Sequence, residues 1–113
     1  MLPFEIICEL PRGVRADFAI GVNDDECSPY IERGGLAYIS RGGALYDGDV
    51  GLFMLSRGVF IRQYCEDWAG NSHFLTLNRA LRRLDMMIPA GTLPSAYLIG
   101  HVVNLGPIPL PER

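Results

Sequence analysis

"VGLFMLSRGVFIRQYC", residues 50–65, holds two apolar runs separated only by Ser56-Arg57-Gly58. That spacing fits a β-hairpin, with glycine supplying the positive φ that a tight connection needs. Outward from this hairpin, no stretch sustains a helical period, and short runs rich in aromatic and branched residues recur between turn signals. The expected strands are residues 4–8, 18–22, 36–40, 50–55, 59–65, 74–77 and 97–104, with a weaker one at 86–88. Gly34-Gly35, Gly42-Gly43, Asp47-Gly48 and Ala69-Gly70-Asn71 supply the turns. The expected class is therefore all-β, mainly antiparallel, with at most one or two short helical turns. One such turn is expected over residues 28–33, with Ser28 as N-cap and Pro29 at the first helical position, while residues 78–84 fit a second turn and a loop equally well.

The 113 residues are expected to form one domain, 1–113, large enough to bury a single core and ending in an extended proline-rich tail, 105–113. Hydrophobic residues make up 49% and charged residues 20%, an ordinary globular balance. The longest apolar runs, 50–55 and 97–100, fall far short of the roughly 20 residues of a membrane helix. With no basic start leading into a long apolar segment, nothing resembles a secretory signal, and a cytoplasmic location without membrane contact is expected.

A net charge of −3 offers no basic face for phosphates, so this chain is not expected to grip DNA by itself. Cys8, Cys27 and Cys65 show no C-x-x-C spacing, and His73 and His101 lie far apart in the chain. Neither a disulfide framework nor a zinc site is indicated, and no cofactor is expected. Asp24, Asp25 and Glu26 are hard oxygen ligands, but successive side chains on an extended segment diverge and the calcium-loop spacing is missing. Arg79, Arg82 and Arg83 read as an exposed face, and Trp68 as a loop-tip or edge aromatic with burial as the default reading. All ten basic residues are arginine. Without a lysine, any mechanism that needs a neutral side-chain amine as base is excluded.

The order of the pieces "FAIGVNDDECSPYI", "GGLAYI", "LYDGDVGLFML", "GVFIRQY", "FLTLN" and "LIGHVV" resembles the carboxy-terminal domain of LexA and phage-type repressors, over residues 16–103. The resemblance implies a twisted, mostly antiparallel β fold or partly open barrel shared with signal peptidases, and self-cleavage by a serine–lysine dyad. In that family the nucleophile loop runs from a small hydrophobic residue through Gly-Asp-Ser-Met to a proline. Placing Val22 and Pro29 at its ends sets Glu26 at the serine and Cys27 at the methionine. The second signature, a Val-Lys-Arg type strand, sets Arg62 at the lysine.

Both dyad positions are thus substituted, and the replacements can be judged by their chemistry. Serine attack needs a partner that takes its proton, which a desolvated lysine does and a guanidinium cannot. Glu26 beside Arg62 is instead expected to form an ion pair, a structural lock across the vestigial groove. Ser28 as a displaced nucleophile has the wrong spacing to Pro29 and no base. Cys27 as nucleophile has Asp25 and Glu26 beside it, which raise its pKa and suppress the thiolate. The expectation is a pseudo-peptidase with no catalytic residues: the regulatory and dimerisation domain of a bacterial or prophage repressor, a homodimer. It would reach DNA only through a domain outside this chain, since no helix-turn-helix pattern precedes Phe18, and its groove is open to a ligand or partner. The alternatives are a peptidase of the same fold built on Glu26, Cys27 or Ser28, and an unrelated β-barrel binding module.

Overall fold

A computed structural model describes residues 4–92 and 96–111. Eight strands are present: β1 (Glu5–Ile7), β2 (Phe18–Gly21), β3 (Leu36–Arg41), β4 (Val50–Leu55), β5 (Gly58–Glu66), β6 (Ser72–Leu75), β7 (Met86–Ile88) and β8 (Tyr97–Val102). They form one open sheet in the order β1-β2-β3-β8-β4-β5-β6-β7, and every pairing is antiparallel. The hairpin read from residues 50–65 is its centre. Leu55 pairs with Gly58, so Ser56 and Arg57 alone make the turn, and Gly58 takes a φ of 138° that a side chain would resist.

Two consecutive meanders, β1-β2-β3 and β4-β5-β6-β7, are joined by the last strand, which inserts between β3 and β4. This join is irregular. Leu52 pairs with Gly100 and Phe53 with Leu98, leaving Ile99 as an extra residue in β8. At Gly100 a Cβ would lie 2.5 Å from the Ser40 carbonyl oxygen and 2.7 Å from Ile39 Cγ2, so β3 tolerates no side chain there. Gly100→Ala should therefore cost about 1–3 kcal/mol through overpacking at the joint. A lowered urea midpoint with an unchanged m-value would report this, and an unaltered midpoint would show that β3 yields freely.

The central hairpin is buried on both sides. Val50, Leu52 and Ile61 join Ile20, Val22, Ala37, Ile39, Leu77 and Val102 in one cluster, whereas Phe53, Leu55 and Phe74 form a second with Phe60, Tyr64 and Leu98 against it. That double burial explains why residues 50–55 read as a continuous apolar run instead of an alternating one.

Some local expectations shift. The strand expected over residues 74–77 lies at Ser72–Leu75, because the Thr76 N–H goes to Asp85 Oδ1 (2.8 Å) in place of the ladder. The last strand ends at Val102, two residues before the expected 104. Its pairing is continued by a side chain: the Asn104 amide accepts from Tyr38 N and donates to Leu36 O, each at 2.9 Å, as a peptide group would. Residues 28–33 do not form the expected helical turn. The Cys27 carbonyl accepts from both Tyr30 and Ile31, and the Ser28 hydroxyl, expected as an N-cap, donates to Glu32 Oε2 at 3.2 Å. The Ser28–Pro29 peptide is cis. Of the two alternatives for residues 78–84, turn or loop, the chain takes the first, as a 3₁₀ helix, Arg79–Leu84, capped by Asn78.

The proline-rich tail belongs to no strand among the described residues, yet it is not loose. Leu105 and Ile108 pack on the first cluster, and the Ile108 carbonyl accepts from the buried Gln63 amide at 2.7 Å. No helix among the described residues is long and apolar enough to cross a membrane.

Candidate functional site

Arg62 lies on the part of β5 that β6 does not cover, since that pairing begins at Gln63. Its guanidinium turns along this open edge, where Nη1 donates to the carbonyl of Ile61 at 2.9 Å. Nη2 donates to Glu26 Oε1 at 2.8 Å, and the guanidinium carbon stands 4.9 Å from the centroid of the Phe60 ring. With 2% of its surface exposed, Arg62 is a buried cation held by one carboxylate, one carbonyl and one aromatic face. Its Nε is buried without a hydrogen-bond partner among the described residues.

Glu26 arrives from the loop between β2 and β3. This loop is closed at its base by Val22, whose N–H donates to Gly35 O and whose carbonyl accepts from Gly34 N. Asn78 fastens its tip. The Asn78 N–H donates to Glu26 O (3.0 Å) and its side-chain amide to Asp25 O (2.8 Å), while Oδ1 caps the 3₁₀ helix at Ala80 N (3.1 Å). Asn78 is the residue that sequence reasoning missed here. Its position before a short helical pattern signals a cap, but nothing local signals that the same side chain also clasps a loop more than fifty residues away in sequence.

The ion pair is not comfortable. Burial, followed by the nearby Asp24 side chain, pushes the Glu26 carboxyl above its ordinary value, and the opposing pull of Arg62 does not fully compensate. Glu26 keeps 24% of its side chain in contact with solvent, against 3% for Arg62. A buried pair of this kind is poor evidence of net stabilisation, yet losing either half leaves a desolvated charge behind.

The other sequence candidates are held in contacts of their own. Cys27 is buried, and its thiol is pushed up to about 12 by burial first and by Asp24 second. Asp24 takes the place of the expected Asp25, while Glu26, as expected, adds a smaller push; Asp25 pairs with Arg33 at 3.2 Å on the surface. Ser28 has Glu32 as its side-chain partner. Both histidines pair with aspartates elsewhere, His73 with Asp67 at 2.7 Å and His101 with Asp49 at 3.3 Å. No cluster of three or more histidine, cysteine or acidic groups able to hold a metal occurs among the described residues. Of the arginine cluster, Arg79 is engaged internally in a two-pronged contact with Asp85, whereas Arg82 and Arg83 are exposed.

The space around the pair is small. A cavity of about 60 Å³ is lined by Phe4, Asp24, Glu26, Cys27, Val59, Phe60, Ile61 and Arg62. A space of this size suits a few water molecules better than a peptide segment. Phe4, just ahead of β1, helps to close it. A far larger cleft of about 450 Å³ runs between Leu55, Phe74 and Met86–Ile88, and neither Glu26 nor Arg62 lines it.

Three carboxyls shifted from their ordinary values contribute to the pH dependence of the fold. The hydrogen bond from His73, with others from Asn71 and Ala69, holds Asp67 well below the ordinary aspartate value of 3.8. Burial pushes Asp85 up, but Arg79 and Thr76 together outweigh it and hold that carboxyl low as well. Groups depressed in the folded state contribute stability that is complete above 3.8 and lost as the pH falls through their folded values. Glu26 has the opposite sign: its contribution is complete below 4.5 and lost as the pH rises through its raised folded value. Urea midpoints measured from acid to neutral pH should therefore show an acid limb that Asp67→Asn makes shallower. Glu26→Gln should remove part of the decline on the other side. An acid limb unchanged in Asp67→Asn would contradict the assignment.

No protein-family model matches the chain, and no curated protein matches it.

Proposed function

We propose that this chain is the regulatory and dimerisation domain of a bacterial or prophage repressor of the LexA type, acting in the cytoplasm and silent for self-cleavage. One observation carries the reading. The two positions that the sequence resemblance assigns to the nucleophile and its base are thirty-six residues apart in the chain, and their side chains meet at 2.8 Å. An accidental match of two short motifs has no reason to bring those two side chains together. What stands there, a carboxylate and a guanidinium, supports an ion pair and not an acyl transfer, because neither an activated hydroxyl nor a neutral amine is on hand.

On this reading the loss of the dyad turns a self-destroying repressor into one relieved by another signal. The cavity beside the pair has room for little more than water, so that signal acts elsewhere on the domain. Dimerisation would bring two DNA-binding heads, supplied outside this chain, to half-sites related by a two-fold axis. Sedimentation equilibrium at high micromolar concentration tests the role directly. A dimer is expected, and a monomer at that concentration would overturn the dimerisation role. The peptidase alternative finds less support, since Cys27 is buried with a raised pKa and the Ser28 hydroxyl donates to the Glu32 carboxylate.

A further inference from the structure

Trp68 is 98% exposed, at the tip of the turn joining β5 to β6. A lone surface aromatic needs no explanation, but this one sits on a backbone that is fixed from several directions. Asp67 Oδ1 accepts from the N–H groups of Ala69 (2.9 Å) and Asn71 (3.0 Å), and Oδ2 accepts from the Asn71 amide (3.0 Å) and faces His73 Nε2 at 2.7 Å. Asn71 in turn accepts from Ala90 N at 2.9 Å, tying the turn to the segment after β7. A rigid turn presenting a large aromatic wholly to solvent is pre-organised for contact, because little further ordering is needed when a partner arrives.

The surroundings identify the chemistry of that partner. Asp47 Oδ1 accepts from the N–H of Glu66 at 2.9 Å, which places the exposed Asp47 and Glu66 side by side at this end of the sheet. Tyr46, 69% exposed, precedes Asp47, and its loop is held to β5 by Gly48 N donating to Tyr64 O and Tyr64 N to Asp49 O. Neither Asp47 nor Glu66 takes part in an ion pair among the described residues; the arginines that do lie at 33, 62 and 79. The end of the sheet thus combines two uncompensated carboxylates with two exposed aromatic rings, on a chain of net charge −3. A planar guanidinium suits both components, since it stacks on aromatic faces and binds carboxylates through paired N–H groups.

We propose that the β5–β6 turn, with Trp68, Tyr46, Asp47 and Glu66, is a docking surface for an arginine-bearing segment of a partner protein. The chain contains a single tryptophan, so its fluorescence reports this site alone. The full chain is titrated with a short capped arginine-glycine peptide, and with the same peptide carrying neutral citrulline in place of arginine. The expected result is a saturable change in Trp68 emission with the arginine peptide, weakened by added salt, and about tenfold weaker binding of the citrulline peptide. Asp47→Asn with Glu66→Gln, which keeps oxygen acceptors at both positions, should weaken binding severalfold while the circular dichroism stays unchanged. An emission change that does not saturate, equal binding of the citrulline peptide, or a response to neutral phosphatidylcholine vesicles in place of the peptide would overturn the proposal.

Discussion

Arg62→Ala is expected to lose about 3–5 kcal/mol of folding stability, because it strands the partly buried Glu26 carboxylate and removes the cation packed on Phe60. The loss should be greater at neutral pH than in mild acid. Burial pushes the Glu26 carboxyl above its ordinary value, so lowering the pH lets the abandoned carboxyl neutralise and recover part of the cost. Glu26→Gln keeps an acceptor for Arg62 and should cost less than Arg62→Ala. Replacing both partners by apolar side chains of similar size should restore much of the stability, since a buried pair is seldom better than a packed hydrophobic one. Urea unfolding of the four proteins decides the matter, and a loss below about 1 kcal/mol in Arg62→Ala would mean that the contact is a surface-like pair of little consequence.

The second large effect lies in the same hairpin, at Phe53, which pairs with Phe60. Phe53 is 1% exposed, and its ring meets Phe74 edge to face with centroids 5.0 Å apart. Phe53→Ala is expected to cost about 3–5 kcal/mol, combining lost burial with a cavity that neighbouring strands cannot close. Those neighbours are tightly set: a Cβ at Gly51 would come within 3.0 Å of the Phe53 ring and 2.9 Å of Leu98. Thermal unfolding would register the change as a large drop in midpoint, whereas a drop of only a few degrees would mean that the second cluster collapses readily around the gap.

The two clusters also mark where sequence reading succeeds. Strand identity is local, carried by branched and aromatic runs and by glycine-bearing turns, so the central hairpin and all eight strands could be anticipated. Strand partnership is not local. Nothing in "YLIGHV" indicates that the last strand inserts between β3 and β4, and the glycine that permits the insertion looks like any other until Ser40 is seen against it. The same division holds around Glu26. Reading Glu26 and Arg62 together depended on the order of several short motifs, each weak alone. Their contact at 2.8 Å is long-range information that composition and spacing do not contain. Capping logic placed a helical turn after Ser28 because it weighed a side chain against its own neighbours, and the competing acceptor proved to be the Cys27 carbonyl. Phe4 and Asn78, which close and fasten the loop, carry no local sign of doing so.

These contacts share a physical consequence: the loop between β2 and β3 is pinned at its base by Val22, clasped at its tip by Asn78 and tied to β5 through Glu26 and Arg62. On the proposed reading this loop is silent for cleavage, its nucleophile and base positions being held by Glu26 and Arg62. Intact-mass spectrometry of the chain after prolonged incubation at alkaline pH, alone and with a mixture of unstructured peptides, tests it most directly. On this reading, an unchanged mass and uncut peptides are expected. A cleavage product that disappears in Glu26→Gln, Cys27→Ala or Ser28→Ala would contradict it and restore the loop as an active centre.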